Sequence, residues 1–437
     1  MDIEEANEWI GSLRRFGIKP GLERVLQVLE RLSNPQDGLV FYHVAGTNGK
    51  GSVCAMLTRI LQACGTRVGV YTSPGLSGFN GRMVIDNEPI SDIDFAKYAV
   101  LVKDAQNDLV MTDPLTEFEV LTIMALLYFR DAKVDTVVWE TGLGGRFDAT
   151  NVVRPSVTAI TNVSYDHVEI LGPRLTDIAF DKAGIVKPGI PIVTAADGEA
   201  YRIIEQVATE VSAPVIRVGR DVSMVATGSD HFMQHGAYRG LYRDAGHVLV
   251  SLYGQHQLKN AAVALAMFET QHPHLDVSSW RKAVDALASV VWPMRFEVLE
   301  GENGPIVIDG AHNPDAAAKL AMALDDFASL HSSPRNWRML IGVLGDKDVR
   351  PMLQIMLPRA DEVIVCRPNH IRGGDPETVG QMVRELSPDL PVTVISDVEE
   401  ATREATKNAR ALVIWGSLYM VEDARKAISK LGLNYRI

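Results

Sequence analysis

The chain has 437 residues, 46% hydrophobic and 22% charged, with a formal net charge of −12, proportions that suit two or three ordinary globular domains. The acidic balance argues against a non-specific nucleic-acid binder, although local cations can still receive an anionic substrate. No run approaches about 18 uninterrupted apolar residues, so no membrane span is expected. Cys54, Cys64 and Cys366 lack metal-like spacing and read as reduced thiols of a cytosolic protein.

The start, "MDIEEANEWIGSLRRFG", is acidic and amphipathic and does not read as a signal peptide. "LVFYHVA" (39–45), "RVGVYT" (67–72), "VDTVVWE" (134–140) and "SVTAITNV" (156–163) read as buried strands separated by helical patterns. Near-continuous apolar strands alternating with helices imply a parallel α/β sheet. After the first strand comes "GTNGKGS", then an apolar helix from about Lys50. Gly46, Gly49 and Gly51 let backbone amides approach an anion, and the helix adds its positive end. Lys50 supplies a point charge, Thr47 and Ser52 supply hydroxyls, and Asn48 completes the turn. The common phosphate-loop spacing is not met, because Val44 and Gly51 fall where Gly and a hydroxyl residue belong.

Glu140 ends a strand ahead of Gly142, Gly144 and Gly145, where parallel sheets bind ligands, and beside a nucleotide loop it suits Mg2+. His167 follows the next strand, with Asp166 beside it. On "RLTDIAFDKAGIVKPG", the residues Ile178, Ala179, Lys182, Ile185 and Val186 share one helical face, while Asp177 and Asp181 lie elsewhere. Lys182 therefore points inward, where burial favours its neutral form. From Ala213 to Leu252 short β-like runs suggest a small antiparallel patch, followed by a helix from about Gln257 to Glu269. "VVWPMRFEVLEGENGP" (290–305) reads as a hinge. Beyond it five apolar strands, each followed by a helix, form a doubly wound, Rossmann-like domain. Asp309 and His312 follow its first strand as exposed groups, with Asn313 as helix cap and Pro314 as first helical residue. The domain division expected is 1–296 and 297–437.

"GTNGKGS" resembles the phosphate loop of the Mur-ligase superfamily, G-T-x-G-K-x-[ST]. The resemblance continues in order through "YTSPGL", "TEFE", "ETGLGGRFDATN", "ITNVSYDHVEILG", "KAGIVKPG", "GQHQLKNAAVAL", "WPMRFE", "DGAHNP", "GVLGDKD" and "GSLYMVEDAR". Together with "GIKPGLERVLQVLERL" these resemble the folylpolyglutamate synthase and dihydrofolate synthase family. The resemblance implies a cytoplasmic, monomeric carbon–nitrogen ligase that uses ATP and Mg2+ at two sites, with K+ as a further candidate, to join L-glutamate to a pterin-linked carboxylate. It implies metal ligands at Ser73, at His167 and at Lys182 as a carbamate. It implies an adenine contact at Asn260 and ribose or nucleotide contacts at Asp309 and His312, while Arg295, in the hinge, would reach the phosphates. Asp346, Lys347 and Ser417 are candidates for organising the glutamate site. Three positions depart from the family pattern: Gly75 stands where His is usual, Gly81 where Glu is usual, and Met294 where Gly is often found. The first two put the pterin in doubt and leave the ATP chemistry intact. A Mur-type ligase with another acceptor is the second reading, disfavoured as a cell-wall enzyme because only about forty residues precede the loop. A non-catalytic nucleotide-binding protein is the third.

Overall fold

The computed structural model describes residues 1–437 except 18, 76–77, 110–112, 231, 302, 332–335, 410 and 433–437. The chain forms two compact units. The first holds Met1–Val225, Gly236–Leu249 and Lys259–Val290; the second holds Ala226–His235, Val250–Leu258 and Val291–Ile437.

In the first unit eight strands form one sheet. They are β1 (Phe41–Ala45), β2 (Val68–Tyr71), β3 (Met83–Ile85), β4 (Glu88–Pro89), β5 (Thr136–Glu140), β6 (Val157–Ile160), β7 (Ile192–Thr194) and β8 (Val215–Arg217). Their order is β4-β3-β2-β5-β1-β6-β7-β8. β1 lies parallel to β5 on one side and β6 on the other, with Val44 opposite both Glu140 and Ala159. That register brings the loops after three central strands out at one carboxyl edge. Every residue of β1, β2, β5 and β6 is buried, as a sheet covered on both faces requires. Trp139, Tyr71, Phe129 and Phe95 fill one side of the core, with the Tyr71 and Trp139 rings 4.6 Å apart.

The sequence reading placed "APVIRVG" in a small antiparallel patch. The structure instead adds β8 to the large sheet, parallel to β7. Its Val-Ile pair is too short for periodicity to separate a buried parallel strand from a patch strand. The patch itself is β9 (Ser223–Asp230), β10 (Met233–Arg239) and β11 (Asp244–Val250), in the order β11-β10-β9. Its short turns connect antiparallel neighbours.

The second unit carries a sheet of six strands: β12 (Glu297–Glu300), β13 (Pro305–Ile308), β14 (Trp337–Ile341), β15 (Ala360–Val365), β16 (Val392–Val394) and β17 (Leu412–Trp415). Their order is β12-β13-β17-β14-β15-β16. β13 to β17 are parallel, as expected. β12 is an additional antiparallel edge strand inside the stretch read as a hinge. The turn at 301–304 signalled a break and hid the hairpin it closes.

Candidate active site

The loop between β1 and the helix Lys50–Ala63 is held by its own glycines. Gly46 and Gly49 have φ of 148° and 86°, values that L side chains rarely adopt. A Cβ on Gly46 would collide with the Thr161 hydroxyl, and one on Gly49 would meet Asn260 Oδ1 at 2.6 Å. The chain after β6 then locks the loop. The Thr47 amide donates to Asn162 O at 2.9 Å, and the Asn48 amide donates to Asn162 Oδ1 at 2.8 Å. Thr47 Oγ1 donates to Ser164 O and accepts from the Ser164 amide. Thr161 Oγ1 donates to Asn48 O at 2.6 Å. Ser52 is buried in the first turn of the helix. Thr161, Asn162 and Ser164 were not singled out in the sequence, although three polar residues at the end of a buried strand mark such a clasp.

Two ammonium groups meet on one loop carbonyl. Lys50 Nζ donates to Gly46 O at 3.1 Å and to Thr47 O at 3.3 Å. Lys182 Nζ donates to the same Gly46 O at 3.1 Å. Lys182 ends the helix Leu175–Lys182 and is 4% exposed, on the inward face expected. Burial, reinforced by the Lys50 charge, lowers its pKa from 10.5 to about 7. Asp181, Asp166 and Asp148 oppose that fall. Asp181 accepts from the Gly145 amide at 2.9 Å, which pins the glycine turn after Glu140 to this helix.

Glu140 is buried at the end of β5 and accepts from the Ser73 amide at 3.2 Å. Ser73 Oγ in turn lies 3.5 Å from Arg82 Nη1. His167 adopts a left-handed backbone, with φ of 52°, and its Nε2 lies 3.8 Å from Asp166 Oδ1. Among the described residues no three His, Cys, Asp or Glu side chains group as a metal cluster. Of the metal ligands expected from the sequence, the structure joins Glu140 directly to Ser73. Asp148, absent from the expected site, is buried and accepts from Leu143 N, Thr150 N and Thr150 Oγ1. Burial raises its pKa, and these bonds oppose the rise.

In the second unit Asp309, His312, Asp346, Lys347 and Ser417 follow three neighbouring strands, β13, β14 and β17. Asp309 is not the exposed carboxylate expected. It accepts from the Phe296 and Ala311 amides, and burial raises its pKa while Arg295 opposes the rise. Through both bonds the carboxylate folds back on its own chain. His312 Nδ1 is 2.8 Å from Gly310 O. Asn313 caps the helix Pro314–His331 through the Ala316 amide, as read from sequence. Arg295 donates to Met294 O. Asp346 accepts from Arg372 at 3.1 Å. Ser417 is buried, and its hydroxyl has no hydrogen-bond partner among the described residues.

A glycine-clasped lysine loop at the carboxyl edge of a parallel sheet is built to receive a phosphate group, and the family matches make the chain a ligase of the Mur type. Residues 44–268 match the Mur ligase middle domain, and residues 294–418 match the Mur ligase glutamate ligase domain. The Bacillus subtilis dihydrofolate synthase/folylpolyglutamate synthase is 34% identical over 97% of this chain and 99% of its own length. The chain belongs to the folylpolyglutamate synthase/dihydrofolate synthase family. A Haloferax volcanii "probable bifunctional folylpolyglutamate synthase/dihydropteroate synthase" is also 34% identical over 97% of the chain, which spans only 50% of that relative. The structure of Mycobacterium tuberculosis folylpolyglutamate synthase complexed with ADP and AMPPCP superposes with a TM-score of 0.89, at 30% identity over 100% of both chains.

Proposed function

We propose that the protein is an ATP-dependent ligase that joins L-glutamate to a folate-type carboxylate, on dihydropteroate, on tetrahydrofolate or on both. The observation that carries this is the convergence of Lys50 and Lys182 on Gly46 O, in a chain matched along nearly its whole length by the Bacillus subtilis relative. A carboxylate does not acylate an amine in water without activation. The carboxylate oxygen attacks the ATP γ-phosphorus, an O–P bond forms, the β,γ-bridging P–O bond breaks with release of ADP, and an acyl phosphate results. The neutral glutamate amine then attacks the carbonyl carbon, a C–N bond forms, the C–O bond breaks, phosphate departs with the electron pair, and the nitrogen gives up one proton to solvent or to the departing phosphate. Lys50 and the loop amides offset charge on the transferring group. Asn260, Arg295, Asp309 and His312 are the proposed nucleotide contacts, and Asp346, Lys347 and Ser417 the proposed glutamate contacts.

The donors present fit Mg2+. Glu140 and Ser73 offer hard oxygen ligands, and two protein donors per ion leave positions for phosphate oxygens and water. His167 and Lys182 fit once Lys182 is carbamylated, a reaction its depressed pKa favours. The neutral amine adds to carbon dioxide and loses a proton, so a cation becomes an anionic oxygen donor. When bound, Mg2+ would neutralise phosphate charge. A carbamate resonance after incubation with 13C-bicarbonate, absent in Lys182→Ala, is the expected sign. The same reading makes the protein a cytoplasmic monomer, with the expected boundary at 296/297 close to the Val290/Val291 division of the two units.

The deciding experiment gives the purified protein Mg-ATP and L-glutamate with dihydropteroate or tetrahydrofolate, and follows phosphate release and product mass. A glutamyl adduct on either pterin is the expected result. No adduct on either, in protein that binds ATP, would favour a Mur-type ligase with a different acceptor.

A further inference from the structure

Two of the proposed glutamate contacts stand on different strand ends of the second unit. Lys347 follows β14 and Ser417 follows β17. The sheet sets Ile341 opposite Trp415, but Lys347 lies well beyond that pairing, on a turn that its amide closes by donating to Leu344 O at 3.2 Å. Ser417 stands at the start of the helix Leu418–Lys430.

The segment after β15, residues 366–375, ties the two together. Arg372 O accepts from the Gly345 amide at 2.8 Å, and the Gly374 amide donates to Val343 O at 2.9 Å. Leu344 and Gly373 form an antiparallel bridge between these bonds. The Arg372 guanidinium then donates to Asp346, the residue before Lys347, at 3.1 Å. On its other side the segment lays the His370 ring on Tyr419, with centroids 4.2 Å apart and planes 23° from parallel. Tyr419 lies one turn position past Ser417 on the same helix start. The Arg372 amide donates to His370 Nδ1 at 3.1 Å. The residue that grips Asp346 therefore also fixes the ring that stacks on Tyr419. Stability does not account for the ion pair. Arg372 and Asp346 side chains are 46% and 33% exposed, and a pair that wet contributes little to folding.

We infer that Arg372 and His370 are positioning residues for the amino-acid substrate: through Asp346 and Tyr419 they hold the Lys347 turn and the Ser417 helix at the spacing that receives glutamate. Neither touches the reacting atoms. This rests on the proposed ligase function and on Lys347 as a glutamate contact.

The test is steady-state ligation kinetics with glutamate, ATP and acceptor varied in turn, for wild type, Arg372→Gln, Arg372→Lys, His370→Ala, Lys347→Ala and the double variant Arg372→Gln/Lys347→Ala. Arg372→Gln should raise the KM for glutamate about three- to tenfold, as a displaced contact does, while the KM for ATP stays within about twofold. Arg372→Lys keeps a cation beside Asp346 without the fork and should recover part of the loss. His370→Ala should shift the KM for glutamate in the same direction. The double variant decides. Added to Lys347→Ala, Arg372→Gln should raise the KM for glutamate by less than about twofold further, because a residue that acts through Lys347 has nothing left to position. If Lys347→Ala is too slow to assay, the same cycle is read from glutamate binding to the ATP-analogue complex by calorimetry. Multiplicative effects in the double variant, an unchanged KM for glutamate in Lys347→Ala, equal rises in the KM for ATP and glutamate, or a fall in melting temperature with every KM unchanged would overturn the assignment. Wild-type ligation is measured first. No adduct there removes the proposed function and this inference with it, whereas an adduct with unaltered glutamate KM in Arg372→Gln removes only the inference.

Discussion

Lys50 and Lys182 share an acceptor, yet substitutions at the two should have opposite signatures. Lys50 starts a helix at the edge of the sheet, and its donors satisfy only loop carbonyls. Lys50→Ala should abolish ligation, with the melting temperature shifting by no more than a few degrees, about the effect of two lost, partly exposed hydrogen bonds. Undiminished phosphate release would refute its role. Lys182 costs stability whenever it carries a proton. Its folded pKa of about 7 lies below the ordinary 10.5, so between those values the unfolded chain binds the extra proton and stability rises with pH. Below about pH 7 the cost is fully present, on the order of a few kcal/mol. Lys182→Met should therefore be more stable than the wild type at pH 6, by a margin that shrinks toward pH 9. Urea midpoints in buffer free of carbon dioxide would show this, and a margin independent of pH would contradict it.

Between elements, the phosphate loop depends on β6 as much as on its own helix. Thr47 Oγ1 both donates to and accepts from Ser164, which ties the loop to the segment that carries His167. Thr47→Val keeps the shape and removes both bonds. It should cost about 1–3 kcal/mol and weaken binding of an ATP analogue by about tenfold, read by calorimetry; unchanged binding would show that the tie is not needed. This clasp also marks where sequence reading stops. β1, its glycines and the inward face of Lys182 were legible, because buried strands, positive-φ turns and helical spacing are local signals. The partners of Thr47 lie more than a hundred residues away, and no local pattern pairs them. The strand β8 was read as β but placed in the wrong sheet, and the hairpin edge β12 escaped, because both are short and adjoin turn residues that read as breaks.

At the scale of the molecule, the second unit is not one continuous stretch. Tyr253, from an earlier segment, stacks on Phe296 with centroids 4.7 Å apart, and Phe232 lies 6.1 Å from Phe327. A fragment spanning 291–437 keeps all six strands of its sheet but loses these aromatic partners. It should melt several degrees below the same unit in the whole chain, or fail to fold, as the loss of buried aromatic contacts predicts. A fragment as stable as the intact protein would show that those segments are dispensable.

That discontinuity sets a timetable for synthesis. Phe232 and Tyr253 leave the ribosome well before the helix and strand that bury them. Tyr253 precedes Phe327 by about 70 residues, several seconds at about 5–20 residues per second. Through that interval two aromatic side chains lack their partners in the second unit, while the first unit still awaits Lys259–Val290. Slower translation across 259–327 would lengthen the exposure and favour aggregation of the nascent chain, which makes the tempo of the message, and not only the residues it encodes, a determinant of how much enzyme is recovered.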